Sequence, residues 1–360
     1  MSNRSRVPKG VTAGGQYARS SGGKPADLPD KTTISSQSPA PPNIQPAHIA
    51  RHTPASAGAQ GDEAAIIDVA QDLLLRDLEC EGFLDTVTFK GGTALRKMWA
   101  GAAGRFSLDL DFSCAAIDAD LDEVLTDLIA AIDGRAIGPF TYGTAARRGK
   151  WMVNFQHPFG GEPALSCKLD LSPPPWLPPI RRGWVPLPIH AHYGAPPMPE
   201  LPIVRLEENL AEKIARLNRT TTARDMYDLH WVATAPSVAS RLDKPLIRRL
   251  AVLKMWVDAN GLRVGRMHWK PGHEGPAFNP KQWLRRRPTA EFENDVLGAL
   301  AVVVPSAQEL SEAVSAHYGF LGDLNPEEQV IARASEADRS LALRMLTDLP
   351  GGRMRGIGIY

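Results

Sequence analysis

Hydrophobic residues recur at helical spacing over Ile66, Val69, Ala70, Leu73, Leu74 and Leu78, which predicts an amphipathic helix from about Asp62. Val87 to Lys90 then predicts a short strand running into Gly91-Gly92. Behind it, Ala94, Leu95, Met98 and Trp99 predict a helix with Thr93 as its N-cap. The period falls to two at Leu108-Asp109-Leu110-Asp111-Phe112, a strand with its apolar residues on one face and both aspartates on the other. Leu121, Val124, Leu125, Leu128 and Ile132 mark a further helix, capped by Asp118 or Asp120, and strands are expected over 151–157 and 164–171. Leu206, Leu210, Ile214 and Leu217 describe the buried face of another helix. After a polar turn at Thr220 to Thr222, a helix opens at Arg224, and the chain beyond Arg241 reads as mostly helical, broken by a loop over 265–279.

Two stretches lack such periodicity. Residues 1–60 are rich in Ser, Pro, Gly and Ala, with seven Lys or Arg against two Asp, and predict a disordered basic tail able to attract RNA or DNA weakly. Residues 173–202 are dense in proline and predict an extended surface loop. Its Trp176, Arg181, Arg182 and Trp184 suit either base stacking or stapling of the loop to the core. His190 and His192 have no evident third ligand for zinc.

The 360 residues are enough for two domains, and a formal charge of +1 leaves any nucleic-acid surface to be local. The three cysteines have no disulfide or zinc spacing, and no apolar run is long enough to cross a membrane, so the expectation is a cytoplasmic protein.

The chemistry concentrates between Phe89 and Ser113. Two carboxylates on one strand face, with Cβ atoms roughly 6–7 Å apart, suit a shared Mg²⁺. Gly91, Gly92 and Thr93 suggest a seat for phosphate, and Ser107 shares the face of Asp109. Asp170, between Leu169 and Leu171, is either a turn cap or a further carboxylate. Lys150 and Lys168 are candidate phosphate contacts, or simply exposed strand residues.

A GGT turn, a helix, and then hydrophobic-Asp-hydrophobic-Asp resembles the DNA polymerase beta superfamily of nucleotidyltransferases. The wording GGTAL followed by RFSLDLDF, with AEKI and RDMYDL later in the chain, is similar to the AbiEii/AbiGii toxins of type IV toxin–antitoxin and phage-defence systems. That resemblance implies an α/β (α+β) polymerase-beta-like core with a small mixed sheet over 61–203 and a helical C-terminal lobe over 204–360. It makes Asp170 the third metal carboxylate beside Asp109 and Asp111, implicates Lys213, Asp225 and Asp228 in catalysis, and assigns nucleotide contacts to Gly91, Gly92, Thr93, Lys97, Ser107 and Arg224. The bland alternative for Lys213 is a structural salt bridge, and for Asp225 a helix cap. The implied activity is Mg²⁺- or Mn²⁺-dependent transfer of NMP from an NTP to RNA, the end of a tRNA first, which would stop translation and growth under the control of an antitoxin. A protein or small-molecule acceptor, or an inactive RNA- or antitoxin-binding module, are the competing readings.

Overall fold

The four expected strands join four that were not expected in one eight-stranded mixed sheet. In the computed structural model, which describes residues 41–53, 58–264, 267–268, 278 and 305–353, these strands are β1 Val87–Lys90, β2 Asp109–Cys114, β3 Ala136–Ile137, β4 Phe140–Arg147, β5 Lys150–Gln156, β6 Ala164–Ser172, β7 Ile180–Arg182 and β8 Leu201–Ile203. Their order is β3-β4-β5-β6-β2-β1-β8-β7. β2 lies at the centre, antiparallel to β1 and parallel to β6. Its Leu110 and Phe112 are buried beneath helix α2 (Gly58–Cys80), whose Val69, Ala70, Leu73 and Leu74 are also buried, whereas Asp109 and Asp111 face the opposite side. Alternation along one strand thus separates core from chemistry. Helix α4 (Leu121–Ile132) covers the same apolar face and is capped by Asp120, whose side chain accepts from the Asp122 and Glu123 amides.

The first correction lies near the N-terminus. Residues 1–40 lie outside the described residues, but α1 (Pro46–His52) is ordered within the stretch expected to be a tail. Ile49 is buried, the Asn43 amide donates to the His192 carbonyl, and His52 Nε2 lies 2.8 Å from Asp68 Oδ2. A single buried isoleucine and a part-buried His52–Asp68 hydrogen bond anchor a helix too short to announce itself by periodicity.

The proline-rich segment is also more than a surface loop. β8 pairs in parallel with β1, and β7 pairs with β8 at the sheet edge. Trp176 and Leu177 enter one hydrophobic core, while Ile189, Tyr193, Leu201 and Ile203 enter another. Stapling is therefore the role of Trp176. Arg182 lies against Trp99, 3.6 Å from its ring centroid.

The core shared by Trp176 and Leu177 is otherwise built from helices α5 (Leu206–Arg219), α6 (Ala223–Thr234), α8 (Lys244–Asn260), α9 (Ala307–His317), α10 (Pro326–Ile331) and α11 (Arg339–Thr347), numbered so that α7 is the short turn Pro236–Ala239. The sheet core spans Ile44 to Ile203. Leu95, from helix α3 (Gly91–Leu95), packs in the helical core and so ties the glycine turn to α5 and α6. No described helix is long and apolar enough to cross a membrane.

Candidate active site

The turn after β1 sets the floor of a cleft. Gly91 has φ +78°, and a Cβ there would lie 2.1 Å from Asp111 Oδ2; one on Gly92 would lie 2.7 Å from Arg105 Nη2. The positive φ and the adjacent carboxylate require glycine at 91, whereas a side chain at 92 would displace the Arg105 guanidinium. The cleft is lined by both glycines, Ser107, Asp109, Asp111 and Asp170 on the sheet side, and by Asn209, Glu212, Lys213, Arg216, Arg224 and Asp225 on the helical side. Strand register places Asp170 level with Asp111 and Lys168 level with Asp109, so all three aspartates share one face. Asp170 is 57% exposed and contacts Lys168 Nζ, whereas Asp111 is largely enclosed. Burial, then Asp109, push the Asp111 carboxyl above its usual range, with Lys90 opposing.

The helical side is a stripe of polar residues at positions 209, 212, 213 and 216 of α5, beside its buried apolar face. Lys213 Nζ lies 2.7 Å from Asp228 Oδ2 and 3.3 Å from Asp225 Oδ1, and Arg105 Nη2 reaches the same Asp228 oxygen at 2.8 Å. Arg216 Nη1 stands 3.6 Å from Asp225 Oδ2, with its guanidinium half exposed to the cleft. Although burial opposes ionisation, Lys213 and Arg216 hold Asp225 below the usual carboxylate range. Thr222 caps α6 by accepting from the Asp225 amide, so Asp225 is not the cap.

Glu212 bridges the two halves, accepting from Lys90 Nζ at 2.8 Å and from Lys254 Nζ at 3.3 Å. Against the desolvation of burial, Lys90 and Lys254 bring its carboxyl down to about 2. Asn209 Nδ2 donates to the Gly91 carbonyl at 3.2 Å and fixes the turn to α5.

Three sequence assignments change. Thr93 is not the N-cap; the helix begins at Gly91, and the fully buried Thr93 hydroxyl donates to the Asp109 carbonyl, fastening α3 to β2. Lys97 does not line the cleft. It is buried on the far side of α3, in contact with Asp68 and Asp72 from α2. Asp228 is buried beside the cleft rather than lining it, held by Arg105 and Lys213 next to Gly92. Asp109, Asp111, Asp170, Ser107, Gly91, Gly92, Lys213, Arg224 and Asp225 are brought together. The sequence reading missed Lys90, Arg105, Asn209, Glu212 and Arg216. Arg105 has the residue parity of Ser107, Asp109 and Asp111, and the α5 stripe has helical spacing, so both signals were present.

A mixed sheet that sets paired aspartates against a glycine turn, faced by Lys213, Arg216 and Arg224, is the arrangement of a nucleotidyltransferase, and comparison with solved structures bears this out. The chain superposes on MenT4, a nucleotidyltransferase toxin from Mycobacterium tuberculosis H37Rv, with a TM-score of 0.71 and 35% identity, over 85% of this chain and 99% of that one. The family model described as the nucleotidyl transferase AbiEii toxin of type IV toxin–antitoxin systems matches residues 72–299, and the chain belongs to that family. A search of curated protein sequences found no match.

Proposed function

We propose that this nucleotidyltransferase toxin transfers an NMP from an NTP to the end of an RNA, a tRNA first among candidates, and that it does so with Mg²⁺ or Mn²⁺. The observation that carries the reading is the placement of Asp109 and Asp111 on one face of β2, opposite Lys213, Arg216 and Arg224 across a cleft floored by Gly91-Gly92.

Among the described residues no three acidic, His or Cys side chains form a complete metal cage. The donor set nevertheless fits Mg²⁺, which is commonly held by one or two carboxylates and completed by substrate phosphates and water. Asp109 and Asp111 would hold it, and Asp170 would join once released from Lys168. When bound, the ion supplies charge neutralisation on the triphosphate and departing pyrophosphate.

The chain's own residues do the rest. Arg216 and Arg224 face the cleft and bind phosphate oxygens; Lys213, fixed by two carboxylates, presents its charge without reorganising. Asp170, exposed beside the pair, would either share the ion or take the proton of the acceptor hydroxyl. As a type IV toxin, the protein has an antitoxin as its cognate partner, and arrest of translation would follow from modified tRNA ends.

The test is to incubate the protein with each α-labelled NTP and Mg²⁺ in the presence of total RNA or of total protein. Label on RNA supports the reading. Label on protein only, or none with any NTP, overturns it.

A further inference from the structure

The apolar face of the sheet is covered by α2 and α4, whereas the residues on the opposite face of β4, β5 and β6, which continues outward from the cleft, are all exposed or half-buried. The register across this face forms a row. Lys90 is level with Asp111, Asp111 with Asp170, and continuing the β5–β6 register by one residue from Trp151 and Leu169 brings Lys150 level with Asp170; Arg147 is level with Lys150. At the usual spacing between strands, Lys150 lies roughly 10 Å from Asp111 and Arg147 roughly 14 Å.

The β4–β5 hairpin ends in Arg147, Arg148, Gly149 and Lys150, all exposed. Among the described residues none of its three cations has an acidic partner, whereas Lys90, Arg105 and Lys213 around the cleft are all paired. Unpaired, exposed charge held in a tight turn contributes nothing to the fold and leaves the tip free to meet a polyanion. Along this row only Lys150 and Asp170 separate Arg147 from Asp111, and the same face beside it carries Ala145, Met152 and Lys168, then Gly143, Asn154 and Ser166, none with an aromatic ring on which a base would stack. Such a surface holds phosphates and ignores base identity.

We infer that the β4–β5 hairpin tip, with Arg147, Arg148 and Lys150, is the docking site for the backbone of the acceptor RNA, which then crosses the open face of β5 and β6 to place its terminal hydroxyl at the aspartates. The inference rests on the proposed RNA acceptor. A protein surface is the less fitting occupant, because the patch offers three like charges and no apolar anchor.

The test is the triple variant Arg147→Ser, Arg148→Asn, Lys150→Ser, with asparagine chosen because residue 148 has φ 51°. The probe is a stem–loop RNA with a single-stranded 3′ end. Each lost phosphate contact removes about 0.7 from the slope of log affinity against log salt, so the variant should lose about 2 from that slope and bind RNA at least about tenfold more weakly at moderate salt. Its melting temperature and NTP affinity should match those of the wild type, and RNA labelling should fall through KM rather than kcat. Unchanged RNA affinity and salt slope would overturn the inference, as would a variant that loses only antitoxin binding. A wild type that uses NTP but neither binds nor labels RNA would instead overturn the acceptor assignment, and the docking site with it.

Discussion

Replacing Asp228 with alanine separates a structural charge from a catalytic one. Its carboxylate is 3% exposed and accepts from both Arg105 Nη2 at 2.8 Å and Lys213 Nζ at 2.7 Å, yet it does not line the cleft. Truncation leaves two buried cations, with only Asp225 nearby to share them. Breaking a buried pair from one side costs about 3–5 kcal/mol, because the remaining charge has lost its compensation. For a chain of this size that corresponds to a fall in Tm of about 4–7 °C. Lys213→Ala should cost less, about 1–2 kcal/mol, since Asp228 keeps Arg105 and Asp225 keeps Arg216. The double variant should be more stable than the sum of the two losses implies, with a coupling of about 2 kcal/mol. Thermal and urea melts of the wild type, both single variants and the double variant measure this directly. An Asp228→Ala protein that melts like the wild type while losing activity would refute the structural role and return the residue to the chemistry.

Three further outcomes follow from the same structure. Glu212 is held at about 2, below its unfolded value, so its contribution is present above about pH 5 and is lost as pH falls toward 2. Glu212→Gln should therefore be less stable than the wild type by about 2–3 kcal/mol at pH 7, with the gap narrowing in melts at pH 4 and below; a gap independent of pH would contradict this. Deleting residues through 55 should lower Tm relative to deletion through 40, because Ile49 and the His52–Asp68 contact are lost; equal melting temperatures would mean that α1 does not hold the domain. Ser107 lines the cleft, so Ser107→Glu should lose NTP affinity by at least about tenfold through repulsion of the triphosphate while Ser107→Ala keeps it, and equal affinities in a binding titration would place the hydroxyl outside the phosphate site.

The fold was legible wherever one face of an element is apolar and the other is not. Leu110 and Phe112 beneath Asp109 and Asp111 announce β2, and Leu206, Leu210, Ile214 and Leu217 announce α5. β4 was not read, because Thr141, Gly143 and Ala145 on its outer face are too small or too neutral to alternate sharply with Phe140 and Tyr142. The prolines between 173 and 202 hid β7 and β8, which are edge strands short enough to tolerate them. Within the site, strand parity put Asp109 and Asp111 on one face of β2, as observed, because it depends only on local geometry. Lys97 was misplaced because its destination depends on tertiary structure. Nothing near it in sequence reveals that Asp68 and Asp72, from a different helix, sit beneath it and take its charge. The same holds for Asp228, whose two cationic partners lie 123 and 15 residues away in the chain.

The central claim is that the β2 carboxylates carry the transfer of a nucleotide. Its most direct test is the rate of label transfer from α-labelled NTP to RNA by Asp109→Asn and Asp111→Asn, measured beside the wild type in Mg²⁺ and on preparations whose melting curves are compared in parallel. The account predicts that both variants lose at least about 100-fold in rate, with Tm unchanged or raised, since each substitution removes one of two repelling carboxylates. Wild-type rates in either folded variant would contradict it.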